Sequence, residues 1–331
     1  MVKLGDMVET SAPSLSAPPT RNPFPSGLSR LIILVLTGCL GAGCSIRKLA
    51  VNRLGDALAA GGTIFASDDD PELVKAAVPF SLKLMESLLA ESPRHEGLLF
   101  ASASGFTQYA YAFVQQDADE MEDQDAAAAD ALRTRARKLY LRARDYGLRG
   151  LEVRQPGFAH ALRKNPKAAV RSTRKPDVRL LYWTGVSWAA ALSVSKDKPE
   201  LIADRYTVEA LIDRALELDE AFDHGAIHGF LITYEMSRPG GVGDAESRSR
   251  KHFARVLELS QGQRASPFVS LAEAVCVEKQ NQAEFRSLLE RALAVNPEAA
   301  PEARLVNLVM QRRAKWLLAR TSELFFEARA P

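Results

Sequence analysis

Apolar residues along most of this chain recur three and four positions apart, and strict alternation is nearly absent. That spacing gathers apolar side chains into one stripe of a helix and leaves the other faces polar. The pattern predicts helices over about 46–60, 71–90, 95–116, 125–151, 176–195, 199–219, 222–236, 244–260, 267–279, 281–295 and 299–327. The punctuation agrees with it. SDDDPEL at 67–73 offers an Asp cap, Pro71 in the first turn and acids at the positive helix end, and Pro93 closes that helix. Gly, Pro or a polar cluster separates most neighbours, and the connections are short, so successive helices should pack antiparallel. The expected fold class is all-α, an array of helical hairpins.

Several of the helices resemble one another. FSLKLMESLLAESP carries Phe80, Leu84, Leu88, Leu89 and Pro93; FRSLLERALAVNP carries Phe285, Leu289, Ala292, Leu293 and Pro297. VEALIDRALELDE (Val208, Ile212, Ala215, Leu216) and HFARVLELS (Phe253, Val256, Leu257) repeat the arrangement. A small residue lets a neighbouring helix approach, and a large one fills the groove beside it. The pattern resembles the second helix of a tetratricopeptide repeat, whose period is about 34 residues. Val256 and Ala292 lie 36 apart and Ala215 and Val256 lie 41 apart, so the array is degenerate and carries insertions. The alternative is an irregular bundle whose cores share a period.

The N-terminus departs from the helical pattern. Residues 1–26 hold five prolines with Asp6 and Glu9, the composition of a disordered extension. Residues 27–43 then read as a signal peptide: Arg30, the apolar run Leu31–Leu36, and small residues before a cysteine. The uncharged stretch 31–44 is 14 residues, short of the roughly 20 that span a bilayer. It resembles the lipobox of bacterial lipoproteins, in which a cysteine thiol at the cut accepts a diacylglycerol. LTGC places the preferred Leu36 before Cys39, while LGAGC places small residues throughout before Cys44. The local pattern leaves both cysteines open. The mature domain would be 44–331, held to a membrane by acyl chains.

Composition narrows the function. The chain has 331 residues and a net charge of +2, which gives no global field for nucleic acid. Beyond the signal the only cysteine is Cys276, so neither an internal disulfide nor a cysteine-based zinc site is expected. No phosphate loop or GxSxG is present, and PGGVG at 239–243 reads as a loop. His224 and His228 are four apart on an expected helix, but no third ligand accompanies them, so they read as a buried or half-buried pair satisfied by backbone groups. No metal or cofactor is expected. RARDYGLRGLEVR at 142–154 carries four arginines that could meet an anion or a partner; a solvated face is the simpler reading. A cell-wall hydrolase using a carboxylate such as Glu235, which lies beside aromatics, is a third reading, but no partner base or nucleophile can be named.

The aromatics carry more. GFTQYAYAF (105–113), LLYWTGVSWAAALSVSKD (180–197) and GFLITYEMSRPGG (229–241) mix large rings with Gly, Ser and Ala. Such a mixture can line a cavity with an apolar wall and polar tips. Tyr109, Tyr182, Trp183, Trp188 and Tyr234 are the candidate lining residues for a partly apolar ligand; plain core packing is the competing reading.

Six stretches in order, GCSIRKLAVNRLGDALA, GGTIFASDDDPELV, ASGFTQYAYAFV, YWTGVSWAAALSVS, LIDRALELDEAFDHGAIH and VNPEAAPEARLVNLVMQRRAKWLLA, resemble the T-component family of tripartite ATP-independent periplasmic (TRAP) transporters. The resemblance spans roughly 43–327. It implies a tetratricopeptide-like, non-enzymatic periplasmic lipoprotein that associates with the substrate-binding protein of a TRAP system and helps to hold or deliver its ligand through a cavity or pore. In that family the lipidated cysteine is followed by Ser and a basic stretch, which points to Cys44, followed here by Ser45, Ile46, Arg47 and Lys48. Neither Leu40 nor Ser45 is Asp, which by resemblance to lipoprotein sorting signals points to the outer membrane of a Gram-negative bacterium. A second copy of the chain is a further candidate partner. The competing reading is an outer-membrane scaffold for envelope assembly.

Overall fold

The computed structural model describes residues 50–60, 62–195 and 204–326, and every regular element among them is helical. Eleven principal helices follow the apolar periodicity: α1 (50–60), α2 (Pro71–Glu91), α3 (Glu96–Tyr109), α4 (Ala126–Arg154), α5 (Val178–Ser193), α6 (Arg205–Leu218), α7 (Phe222–Ser237), α8 (Ala245–Leu259), α9 (Ser266–Leu271), α10 (Gln282–Ala294) and α11 (Arg304–Ala319). The extension, the signal peptide, Cys39 and Cys44 lie outside the described residues. Among the described residues no helix is long and apolar enough to cross a membrane.

Local chemistry sets the starts. The Asp70 carboxylate accepts from the N–H groups of Glu72 and Leu73, both at 3.0 Å, and Pro71 fills a position that needs no donor. Asp125, Asp244 and Asn281 cap α4, α8 and α10 in the same way. The expected boundaries shift in three places. The third helix continues past Tyr109 through a π-helical turn, Ala110–Gln115, into a further helix, Gln116–Met121. The ninth passes into a second π turn, Ala272–Cys276. The expected helix over 299–327 is broken: 3₁₀ turns fill Pro297–Ala299 and Pro301–Ala303, where Pro blocks regular helix, and the chain breaks again at Arg320 before Thr321–Leu324. Between α4 and α5 the chain forms short helical segments, including the helix Phe158–Lys164, that the periodicity does not register.

Neighbouring helices do run antiparallel at the start of the array. Glu96 at the start of α3 meets Arg154 at the end of α4 at 2.8 Å, while Gln115, beyond α3, meets Tyr140 in mid-α4 at 2.7 Å. Arg154 also bonds Asp177 at the start of α5. Two small residues on α4 permit this closeness: a Cβ on Gly147 would collide with the Thr184 side chain and lie 3.3 Å from its Cα, and one on Gly150 would press into Leu180. The α7–α8 hairpin is laced by Glu235–Arg248, Ser249 Oγ donating to the Ile232 carbonyl at 2.7 Å, and His228–His252.

Buried apolar residues form four clusters along this array. The cluster around Val74, Phe106, Tyr140 and Ala191 also contains Val309 from α11. The last helix therefore returns to the first ones. Polar contacts repeat the closure: Arg304 donates to the Ser67 carbonyl at 3.0 Å, Arg312 bridges Asp117 at 3.1 Å and Glu120 at 2.6 Å, Arg313 reaches Asp119 at 3.1 Å, and Arg320 reaches Asp123 at 3.3 Å.

Candidate functional site

Four of the five candidate aromatics share one cluster. Tyr182 is 8% exposed, meets Trp183 edge-on at 5.1 Å and Phe222 at 5.5 Å, and donates its hydroxyl to the Ala226 carbonyl at 3.3 Å. Trp188, also 8% exposed, donates from Nε1 to Asp204 at 3.1 Å and carries the Arg144 guanidinium on its face at 4.9 Å. Tyr234 is half-buried, stacks on Phe230 at 5.3 Å and points its hydroxyl at Glu209. Tyr109 sits apart, in the cluster that α11 joins, against Phe113 at 5.7 Å. All five thus have core partners, and Trp183 and Tyr234 are the two that keep appreciable surface.

The more unusual constellation centres on Tyr111. Its neighbours Ala110 and Phe113 are buried, but Tyr111 keeps 39% of its surface. Three charged side chains from separate segments act on its phenol electrostatically: Arg313, Glu273 and Asp119. Burial nonetheless raises the Tyr111 phenol above its ordinary pKa. Arg313, only 6% exposed, donates Nε to Glu273 at 2.8 Å, bonds the other Glu273 oxygen through Nη2, and reaches Asp119 through Nη1. Burial also holds the Asp119 carboxyl above its ordinary range. Tyr111 rides on one π turn and Glu273 on the other, and such turns concentrate at functional sites. The sequence signal for Tyr111 was its place two residues after Tyr109; the π turn, invisible to a 3.6-residue period, is what sets its direction.

One reading of the sequence is corrected here. His224 and His228 do not share a helix face, because Asp223, His224 and Gly225 have φ of 45°, 54° and 86°. A Cβ on Gly225 would lie 3.1 Å from Leu259 Cδ1 and 3.4 Å from the Val256 Cα, so α8 comes close there and glycine meets both demands. His224 is exposed; the buried His228 pairs instead with the side chain of His252, Nδ1 to Nδ1 at 2.8 Å. Among the described residues no group of three metal-ligating side chains assembles. Glu235, the acid named in the hydrolase alternative, has partners that the sequence does not register. It is 3% exposed, with Arg238 at 2.9 Å on one oxygen and Arg248 at 2.5 Å on the other. Burial opposes its ionisation, but the hydrogen bonds from Arg248 and Arg238 hold its pKa below the ordinary value.

Two shallow clefts mark the surface. One, of about 320 Å³, lies among Phe268, Arg291 and Val295; the other, of about 380 Å³, lies along α4 among Lys138, Leu141, Arg142, Asp145, Tyr146 and Arg149.

Comparison with known proteins agrees with this architecture. An uncharacterized protein of Treponema pallidum (strain Nichols) is 30% identical over 318 residues, covering 90% of this chain and 98% of that protein. The family described as TRAP transporter T-component, a transport component and not an enzyme family, matches residues 67–325. Nearly all of the helical array lies within that match, and the chain belongs to the TRAP transporter T-component family.

Proposed function

We propose that this chain is the periplasmic lipoprotein of a TRAP transport system, tethered through Cys44 to the outer membrane, binding the system's substrate-binding protein and holding a small ligand. The observation that carries this reading is the family match across 67–325. The geometry supports it in two ways. The last helix packs back on the first ones, and this closure holds fixed the faces that the array offers to a partner. Tyr111 and, among the candidate lining residues, the partly covered Trp183 and Tyr234 keep surface that a partly apolar ligand could reach. We read the hairpins as divergent tetratricopeptide-like repeats on the strength of their shared helix pattern.

The test is an unbiased pull-down from native periplasmic extract with the chain from Ser45 onward as bait. Recovery of a TRAP-type substrate-binding protein supports the reading. Retention of assembly or cell-wall proteins alone, across several salt concentrations, replaces it with the scaffold reading. Lipidation is tested separately by mass spectrometry of the mature protein: Cys44→Ala should abolish the acyl mass and Cys39→Ala should leave it unchanged.

A further inference from the structure

The four arginines of 142–154 divide by environment. Arg144 and Arg154 are committed to Asp145 with Trp188, and to Glu96 with Asp177. Arg142 and Arg149 face the other way, into the cleft of about 380 Å³ along α4. Lys138 stands one turn before Arg142, so Lys138, Arg142, Asp145 and Arg149 fall at i, i+4, i+7 and i+11 on one exposed face. The cleft lining therefore holds three cations and one carboxylate, with Arg142 also paired to Glu86 from behind. The chain as a whole carries a net charge of only +2, so this excess is local.

The two guanidiniums are held in place. Arg142 lies 5.4 Å over the Phe106 ring and 3.5 Å from Glu86. Arg149 lies 5.2 Å over the Tyr146 ring and donates to the Pro93 carbonyl at 3.2 Å. Tyr146 is fixed in turn, stacked on Phe106 at 6.0 Å with its hydroxyl donated to Glu86 at 2.8 Å. Glu86 is mostly covered and also bonds Lys83, so it sits behind the cleft with its oxygens in use. Among the described residues no ion pair engages Lys138. A preorganised guanidinium loses less entropy on binding than a free one, and Tyr and Arg are the side chains most often found at the energetic centres of protein interfaces.

We infer that this α4 cleft is a docking site for an acidic protein surface, with Lys138, Arg142 and Arg149 receiving clustered carboxylates and Leu141 and Tyr146 forming the apolar floor. The cations stand around Leu141 and Tyr146, and this mix of Arg with an aromatic and apolar surface is that of a protein interface. Fixed, fork-shaped donors suit carboxylates approached edge-on. The inference rests on the proposed association with a TRAP substrate-binding protein, which supplies the partner for its test.

The test measures binding of the chain from Ser45 onward to the substrate-binding protein of its own system, by sedimentation velocity and calorimetry between 50 and 300 mM salt. The wild-type affinity should fall with salt. Lys138→Glu with Arg149→Glu should weaken binding by about tenfold or more, mainly through slower association. Lys138→Glu alone breaks no ion pair among the described residues, so it tests the site without risk to folding; it should weaken binding by several-fold. Lys251→Glu and Lys315→Glu, exposed cations on other helices, should leave it unchanged. Binding by the wild type that the cleft variants share undiminished overturns the inference and spares the proposed function. Absence of wild-type binding overturns both. Cosedimentation with phosphatidylglycerol vesicles that the cleft variants abolish, with protein binding intact, assigns the cleft to lipid instead and overturns the inference.

Discussion

Replacing Arg313 by Met tests how the two ends of the array are joined. Arg313 is 6% exposed and spends three donors on two carboxylates from distant segments, Glu273 and Asp119. Met matches the stem but removes the charge. Asp119 and Glu273, whose side chains are 18% and 37% exposed, then lose their shared cation. Arg133, 3.5 Å from Asp119, compensates in part. Removing one partner of a buried ion pair costs about 3–5 kcal/mol. Glu273 can rehydrate, which places the expected loss near the lower bound, about 3 kcal/mol. With a urea dependence of about 3 kcal/mol per molar, the midpoint should drop by about 1 M. Arg320→Ala is the matched control, because its partners Asp123 and Glu323 are 60% and 56% exposed and such pairs contribute under about 1 kcal/mol. The loss should also depend on pH. Burial already raises Asp119, Arg313 opposes that rise, and the variant's Asp119 should sit higher still. Its folded form then keeps a proton that the unfolded chain releases, so the variant's stability falls as pH rises through the carboxylate range. Equal midpoint shifts for Arg313→Met and Arg320→Ala, or a penalty unchanged between pH 5 and pH 8, would refute this account of the junction.

Gly147→Val should destabilise by roughly 1–3 kcal/mol through overpacking against Thr184, seen as a lower Tm by calorimetry; an unchanged Tm would mean that α4 and α5 part freely. Cys276 is fully buried, and burial foremost pushes its thiol up to about 12, so Ellman's reagent should find no reactive thiol in the folded chain from Ser45 and one after urea. Burial, then the neighbouring His228, lowers His252 to about 4, and a depressed histidine contributes stability that is lost as pH falls from its unfolded value of about 6.5 toward 4. His252→Gln should therefore flatten acid destabilisation in that window, as followed by circular dichroism. Deleting 304–331 should expose Val74 and Phe106 to dye binding and lower the unfolding temperature of the entire array, whereas loss confined to α9 and α10 would show an open-ended solenoid.

The helices were legible because burial imposes a period, and their starts were legible because Asp70, Asp125, Asp244 and Asn281 satisfy free backbone donors by local chemistry. Features that depend on distant chain segments were not. Tyr111 and Glu273 ride on π turns, which insert one residue per turn and leave no trace in apolar spacing. His228 found His252, 24 residues away, in place of His224 because Gly225 adopts a left-handed conformation where α8 comes close. Glu235 looked unpartnered beside its aromatics; its two arginines enter from the loop after α7 and from α8. The basic run at 142–154 was visible, but its division into committed and cleft-facing arginines follows only from where α2, α3 and α5 pack against α4.

The arginines of α11 explain why the last helix differs in composition from the repeat-like helices before it. In an open solenoid each unit touches only its neighbours, and a terminal helix needs only a polar outer face. Here α11 must meet a segment some 195 residues earlier, which costs loop-closure entropy that grows only slowly with length. Val309 contributes a buried apolar contact, but a purely apolar seam would also accept slipped registers. Arg312 and Arg313 are adjacent, so they leave the helix about 100° apart and take different acids: Asp117 and Glu120 for one, Asp119 for the other. A shift of α11 by one residue would leave a buried guanidinium without its carboxylates, at a cost of several kcal/mol. The charges thus fix the register of a junction that the apolar contacts hold together.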